Sequence, residues 1–192
     1  MQIQKINPRS VTIMLIILVI AALRVINNFS PELTSLANFS PLAAMAIFGG
    51  AKFKKLSTSL LFPIGAILIS DLVLFATVYK KYSDGFLYQG WYWVYAAFLL
   101  MTLMSRWLNK NQSIKTVSIS ILAAVFIHWI VTDFGVWMGS NHFPQTLAGF
   151  ISCLTVAIPF ELELLAATII YSGIMFGAME WEKIKVVSMG NS

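Results

Sequence analysis

Cysteine and charge are both scarce in this chain of 192 residues. Cys153 is its single cysteine, which excludes a disulfide within one chain and any metal site built from thiolates alone. Charged residues make up 11% of the sequence and hydrophobic residues 58%, whereas a soluble domain has about 25% charged and roughly 45–50% apolar residues. A chain so poor in charge cannot cover itself with polar surface. We therefore predict an integral membrane protein.

The common catalytic signatures are missing as well. The sequence has no HExxH, no GxSxG, no Walker phosphate loop and no pair of histidines at metal-ligand spacing. We therefore expect no enzyme, no cofactor and no metal site. The net charge of +5 would suggest nucleic acid in a soluble domain, but in a membrane chain the positions of the charges matter more. We expect no nucleic-acid partner, and the lipid bilayer as the surroundings.

Long apolar runs predict the number of helices, because a helix needs about 20 residues to cross the hydrocarbon core. Pro144 and Pro159 bracket one further apolar stretch, 144–158, which predicts a short extra helix before the last span. One long helix kinked at Pro159 is the alternative. The predicted fold is all-α, a single transmembrane domain over 1–192 with this short helix and six spans, at 10–29, 41–53, 57–79, 91–108, 114–137 and 160–180.

Lysine and arginine orient the predicted bundle. With the N-terminus inside, ten basic residues of the loops and tails fall on the cytoplasmic side, and only Lys80 and Lys81 fall outside. Because cytoplasmic loops are enriched in Lys and Arg, this asymmetry predicts that both termini are cytoplasmic.

With that orientation, the unusual polar residues collect toward the outer side of the membrane. Ionisable groups within a membrane normally face a bundle interior or a water-filled cavity. Because these residues share one predicted depth, the sequence predicts a polar pocket that opens to the outside. The predicted pocket residues of this kind are Arg24, Asn38, Asp71, Asp133, His142 and Glu161, with Glu161 placed at the outer start of the last span.

The stretch HWIVTDFGVWMGSNHFP (128–144) adds aromatic residues to that pocket. Trp129 and Trp137 lie four residues before and after Asp133, so the three share one face of a helix. An acid between two indoles suits a ligand with a cationic or a planar apolar part. Anchoring at the membrane interface is the alternative for the tryptophans. His128 lies about 140° around the helix from Asp133, which favours a hydrogen-bonding role over chelation.

Two blocks, NFSPLAAMAIFGGAKF (38–53) and TDFGVWMGSNHFPQTLAGFISCLTVAIPF (132–160), resemble an uncharacterised family of small bacterial membrane proteins. That family is similar in size and helix count to the S components of energy-coupling-factor (ECF) vitamin transporters. The resemblance implies a six-helix protein of the bacterial cytoplasmic (inner) membrane that holds a vitamin-like ligand near its outer face. It also implies, as partners, a coupling transmembrane subunit and two ATPases.

The chain departs from these patterns at three places. Ala21 and Ala22 are adjacent, where S components carry an Ala-x-x-x-Ala motif on the first helix for contact with the coupling subunit. Glu161-Leu162-Glu163 stands where the uncharacterised family tends to have Arg-Asn. The N-terminal MQIQKIN has no histidine, unlike the nickel and cobalt S components, which disfavours those metals as ligands.

These observations predict a substrate-binding component for the uptake of a small water-soluble nutrient such as a vitamin. Asp133 would meet a positive or donor group of the ligand, and Trp129 and Trp137 would stack on it. The alternative is a structural or assembly protein without a ligand, in which Arg24 and Asp71 pair to hold the first and third helices together. A membrane enzyme that uses an acid such as Asp133 on lipid head groups is the least favoured hypothesis.

Overall fold

The computed structural model of the protein describes Ala22 and residues 39–77, 87–111 and 113–190, with side chains up to Met179. This part of the chain is all-α and contains no strand. The predicted helices at 41–53, 57–79, 91–108 and 114–137 are confirmed, with ends displaced by two residues or fewer. Apart from Ala22, the predicted first span lies outside the described residues. The five helices are α1 (Leu42–Lys52), α2 (Leu56–Thr77), α3 (Trp91–Leu108), α4 (Ile114–Gly139) and α5 (Leu147–Gly190).

The last helix corrects one prediction. The short extra helix expected at 144–158 is wrong, because α5 is one continuous helix with Pro159 inside it. A proline within a membrane helix is tolerated where neighbouring groups satisfy the freed carbonyl. The single long helix, which was the alternative, is the one that forms. Glu161 therefore lies fourteen residues from the start of α5 at Leu147, about 21 Å along the helix axis, and not in its first turn.

Within the described residues, three helices are long and apolar enough to cross a membrane. They are α2, α4 and the Leu147–Met179 part of α5. The shorter α1 is apolar too, but its 11 residues span only about 16 Å. Because the hydrocarbon core is about 30 Å thick, α1 needs the shelter of its neighbours. Lengths and hydropathy therefore support the prediction of a membrane protein.

The short α1 lies at the centre of the described bundle. All four other helices pack against it, and its residues from Ala43 to Ile47 are completely buried. Gly50 lets α3 approach at backbone distance: a Cβ atom there would clash with the carbonyl oxygen of Thr102 and lie 2.8 Å from the backbone nitrogen of Arg106. Small residues are the usual means by which membrane helices reach such contact.

Side chains of α3 donate to carbonyl groups in the second half of α1 and just after its end. Arg106 donates to the carbonyl of Phe53 at 2.7 Å and to the hydroxyl of Ser59 at 3.1 Å. It also donates to the carbonyl of Lys54 at 2.5 Å. Ser105 donates to the carbonyl of Ile47 at 2.7 Å. Helix ends leave up to four carbonyls without partners, so this arrangement fixes the end of α1 against α3.

We expect Arg106→Lys to lower the free energy of unfolding by about 1–3 kcal/mol. A lysine ammonium cannot reproduce the fork with which Arg106 bridges two backbone carbonyls and a hydroxyl. The control is Lys110→Arg, since Lys110 is exposed next to the end of the same helix. Thermal unfolding in mild detergent measures both variants. Equal stability of Arg106→Lys and the wild type would contradict this function of Arg106.

Candidate functional site

A buried histidine–glutamate pair joins α4 to α5. His128 Nδ1 and Glu161 Oε1 lie 2.9 Å apart, with side-chain exposures of 15% and 9%. The ring of Phe98 from α3 packs edge-on against His128, with ring centroids 6.0 Å apart. The hydrogen-bonding role predicted for His128 is present, but its partner was not predicted. His128 lies eleven residues before Gly139, about 16 Å from that end of α4, so the pair sits at mid-helix depth.

Asp133 lies on the same pair of helices, closer to the end of α4. It is 9% exposed, and its backbone carbonyl accepts a weak hydrogen bond from the Cys153 thiol at 3.6 Å. Glu161 and His128 both lie close enough to act electrostatically on its carboxyl group. We refer to His128, Asp133 and Glu161 as the polar cluster. The prediction that Glu161 lies at the start of the last span is wrong, because continuous α5 begins at Leu147 and places Glu161 at the level of His128.

The polar cluster has more acceptors than donors. Glu161 Oε2 is buried and has no hydrogen-bond partner. The Asp133 carboxyl group likewise makes no hydrogen bond within the described part of the chain, although it is nine-tenths buried. Buried polar atoms are nearly always paired. The cluster therefore suits a ligand that brings a hydrogen-bond donor or a positive charge.

A metal ion is not supported as that ligand. Among the residues that the structure describes, no group of three or more His, Cys, Asp or Glu is arranged so that it could hold one. The three side chains of the polar cluster lie near one another, but they do not converge on a common point as a coordination site requires.

The two predicted tryptophans use their indole N–H groups within the protein. Trp129 Nε1 donates to the carbonyl of Leu154 at 3.0 Å, and Trp137 Nε1 donates to the carbonyl of Pro144 at 2.8 Å. The first bond joins α4 to α5, and the second joins α4 to the segment just before α5. The tryptophans share a helical face with Asp133 as predicted, but their N–H groups are engaged by backbone carbonyls.

Next to Asp133, four rings from three helices form an aromatic cluster: Trp93, Phe134, Trp137 and Phe150. The centroid of Phe134 lies 5.3 Å from Trp93, 5.5 Å from Trp137 and 5.8 Å from Phe150. Gly135 makes room for Trp93, because a Cβ atom there would overlap the indole ring. Of these rings, the sequence prediction assigned only Trp137 to the pocket. The signal in the sequence for a larger cluster is the pair Phe134-Gly135 directly after Asp133, where a ring stands beside a residue small enough to admit another ring.

Asp71 belongs to a separate contact. It is 2% exposed and accepts a hydrogen bond from the Tyr95 hydroxyl at 3.0 Å, which joins α2 to α3. Tyr95 was not predicted as a partner of Asp71. It is the second tyrosine of WYWVY (91–95) and lies one helical turn after the start of α3 at Trp91. The predicted partner Arg24 lies outside the described residues, and so does Asn38.

His142 lies in the connection between α4 and α5 and is exposed. Its backbone nitrogen donates to the hydroxyl of Ser140 at 3.0 Å. The structure thus brings Asp133 and Glu161 together, with His128 as an additional member. It places Asp71 on Tyr95 and His142 at the surface.

Comparison with known proteins gives a family and no function. A family model described as "Family of unknown function (DUF6580)" matches residues 4–189. No curated protein matches the chain, and no solved structure matches it.

Proposed function

We propose that this chain, which belongs to DUF6580, is a membrane-embedded binding protein for the uptake of a small water-soluble solute, such as a vitamin or its precursor. The polar cluster is its binding site. In this proposal the protein has six spans, including the predicted first span at 10–29, and cytoplasmic termini in the bacterial inner membrane. It is not an enzyme.

The observation that carries the proposal is a buried acceptor without a partner in the polar cluster, Glu161 Oε2. Near it lies a second carboxyl group, that of Asp133, which has no hydrogen-bond donor among the described residues. Leaving a buried acceptor unpaired costs about 1–3 kcal/mol, and more when it is charged. A solute with matching donors removes that cost on binding. His128 positions Glu161 through the 2.9 Å hydrogen bond, so that Oε2 stays available.

The aromatic cluster supplies the apolar part of the same site. Phe134 follows Asp133 in the chain and packs on Trp93 and Trp137. These rings lie next to Asp133 toward the Gly139 end of α4, which is the outer end in the proposed topology. Ligand sites typically combine an apolar, aromatic lining with a few convergent polar groups. A planar or cationic solute would contact aromatic rings on its side toward Gly139 and carboxyl oxygens on its other side.

Partners are proposed from the resemblance to S components of energy-coupling-factor vitamin transporters. In that arrangement a coupling transmembrane subunit and ATPases drive the release of the solute inside. The unpaired acceptor in the polar cluster supports the binding of a solute. This argument does not depend on the coupling subunit or the ATPases. Arg24, Asn38 and His142 remain predicted contributors from the outer side.

The second candidate is a structural or assembly protein with no ligand. The contacts between α4 and the chain around α5 favour it, since Trp129, Trp137 and His128 each bond across that interface. A polar cluster that merely links helices would have the same hydrogen bonds. It would not account for the unpartnered oxygen of Glu161.

Identification of the solute tests the proposal. The wild type and two variants are purified in mild detergent from cells grown in rich medium, and extracted small molecules are identified by mass spectrometry. We expect a stoichiometric solute in the wild type that is lost in Asp133→Asn. It should be retained in Glu163→Gln, the matched control, because Glu163 lies two residues and about 200° around α5 from Glu161. Folded wild type without any solute, or an equal amount in Asp133→Asn, would favour the structural alternative.

A further inference from the structure

We propose that Asp133 carries a proton when no solute is bound, and that the solute is a monocation which takes the place of this proton. The inference rests on the proposed function, because it concerns the ligand of the same polar cluster. It adds the charge of the solute and the exchange that accompanies binding.

The first step is the charge of the polar cluster. Two carboxyl groups and one imidazole, all at least 85% buried, carry a net charge of −1 when every group is ionised. With a neutral imidazole the charge is −2. An uncompensated charge within a membrane-spanning bundle costs several kcal/mol. With both carboxyl groups ionised the cluster is negative in either state of the imidazole, and a proton on one carboxyl group supplies a positive charge that lowers this cost in the absence of solute.

The surroundings do not supply that charge from the described residues. The titratable groups that act on Asp133 are His128 on its own helix and Glu161 on α5, and Asp133 in turn acts on Cys153 of α5. From α3 the cluster meets rings, such as Phe98 against His128. Two titratable side chains of α3 are engaged away from the polar cluster. Tyr95 donates to Asp71, and Arg106 donates to the carbonyl of Phe53 after the end of α1. The one basic residue of α1, Lys52, lies 5.2 Å from the ring of Phe176.

The second step assigns the proton to Asp133 and not to Glu161. Glu161 shares a hydrogen bond of 2.9 Å with His128, so one oxygen of its carboxyl group already has a partner. Asp133 has no such donor among the described residues, so its charged form gains nothing from a hydrogen bond. Burial without a donor favours the neutral, protonated form of a carboxyl group, and Asp133 is the member of the polar cluster in that position.

The third step gives the class of solute. A monocation that enters can replace the proton without changing the net charge of the site: the cation binds Asp133 as carboxylate, and the proton leaves to solvent. An anionic solute would add charge to a cluster that already lacks compensation. The rings of Trp93, Phe134 and Trp137 beside Asp133 favour an organic cation, since aromatic faces attract cations.

Infrared spectroscopy tests the proton directly, and it needs no knowledge of the solute. Protein stripped of solute by exhaustive detergent exchange is measured at neutral pH in H₂O and in D₂O. A protonated carboxyl group gives a C=O stretch above the amide band that shifts on deuteration. We expect this band in the wild type and in Glu163→Gln, and its absence in folded Asp133→Asn. Should Asp133→Asn not fold, raising the pH of the wild type must remove the band.

The add-back experiment then tests the exchange. Returning the solute fraction extracted from the wild type is expected to abolish the band as the proton leaves. A wild type without the band, or a band that survives in Asp133→Asn, overturns the inference and leaves solute binding intact. A band that persists while solute binds also overturns it. Failure of the proposed function looks different, because no solute is then extracted although the band is present.

Discussion

Replacing His128 by leucine is expected to lower the free energy of unfolding by about 3–5 kcal/mol, because it leaves a buried carboxylate without its partner. His128 is the only described residue that hydrogen-bonds the Glu161 side chain, at 2.9 Å. Both Glu161 oxygens would then be buried and unpaired. In a chain of this length, each kcal/mol changes the melting temperature by about 2–4 °C, so the loss is readily measured by thermal unfolding in detergent.

The double variant His128→Leu/Glu161→Leu is the control for that result. It removes the carboxylate along with its partner and places apolar groups at the α4–α5 interface. Replacing both members of a buried pair by apolar residues is often nearly neutral. We therefore expect the double variant to be more stable than His128→Leu alone. Additive destabilisation by the two substitutions would show that the pair does not contribute to the stability of the fold.

Gly50→Ala is expected to be strongly damaging, with a loss of about 3 kcal/mol in unfolding free energy. The added Cβ would meet backbone atoms, the carbonyl oxygen of Thr102 and the nitrogen of Arg106, and a side-chain atom of Ser105. Backbone cannot rotate away as a side chain can. The α1 and α3 helices would have to separate, and α1 is the helix against which all the others pack.

Gly65→Ala is the matched control for Gly50. Gly65 is also within a helix, α2, but nothing in the described structure lies within 4 Å of its would-be Cβ. There the added methyl should be neutral or should stabilise by up to about 1 kcal/mol, the difference in helix propensity. Fluorescence-detected gel filtration after heating compares the two variants. Equal midpoints for Gly50→Ala and Gly65→Ala would contradict the close approach of α1 and α3.

Hydropathy was sufficient to predict four helices to within two residues of their ends, because apolar length is what a bilayer selects. It failed at α5. Pro159 is a breaker in a soluble helix, and the sequence prediction gave it that meaning. In a membrane bundle, with no water to take up freed backbone groups, a helix continues through proline wherever neighbours satisfy it. The choice between the two depends on packing that a single sequence does not contain.

The misplacement of Glu161 followed from that one choice. If a helix began after Pro159, Glu161 would lie in its first turn near the surface. In the continuous α5 it lies about 21 Å from the helix start and pairs with His128. The acid at Asp133 and its burial were predictable from its apolar flanks. Its neighbours across the α4–α5 interface were not, because the register of two packed helices depends on where each one begins.

The pairing of Tyr95 with Asp71 shows the same limit. The sequence placed an acid in α2 and proposed Arg24 as its partner, on charge alone. The described structure adds a neutral donor from α3 at 3.0 Å. A neutral hydroxyl group at the same level of the bundle can satisfy a buried carboxyl group. The spacing of Asp71 and Tyr95 along the chain does not predict that the two residues lie at the same level.

Rebinding of the extracted solute tests the central claim, that the polar cluster is a solute site, most directly. Stripped wild type, Asp133→Asn and Glu163→Gln are dialysed to equilibrium against the solute fraction, and bound solute is quantified by mass spectrometry. We expect saturable binding to the wild type and to Glu163→Gln, and an affinity at least tenfold lower, or about 1.4 kcal/mol, in folded Asp133→Asn. Equal affinity of Asp133→Asn and the wild type would contradict the claim.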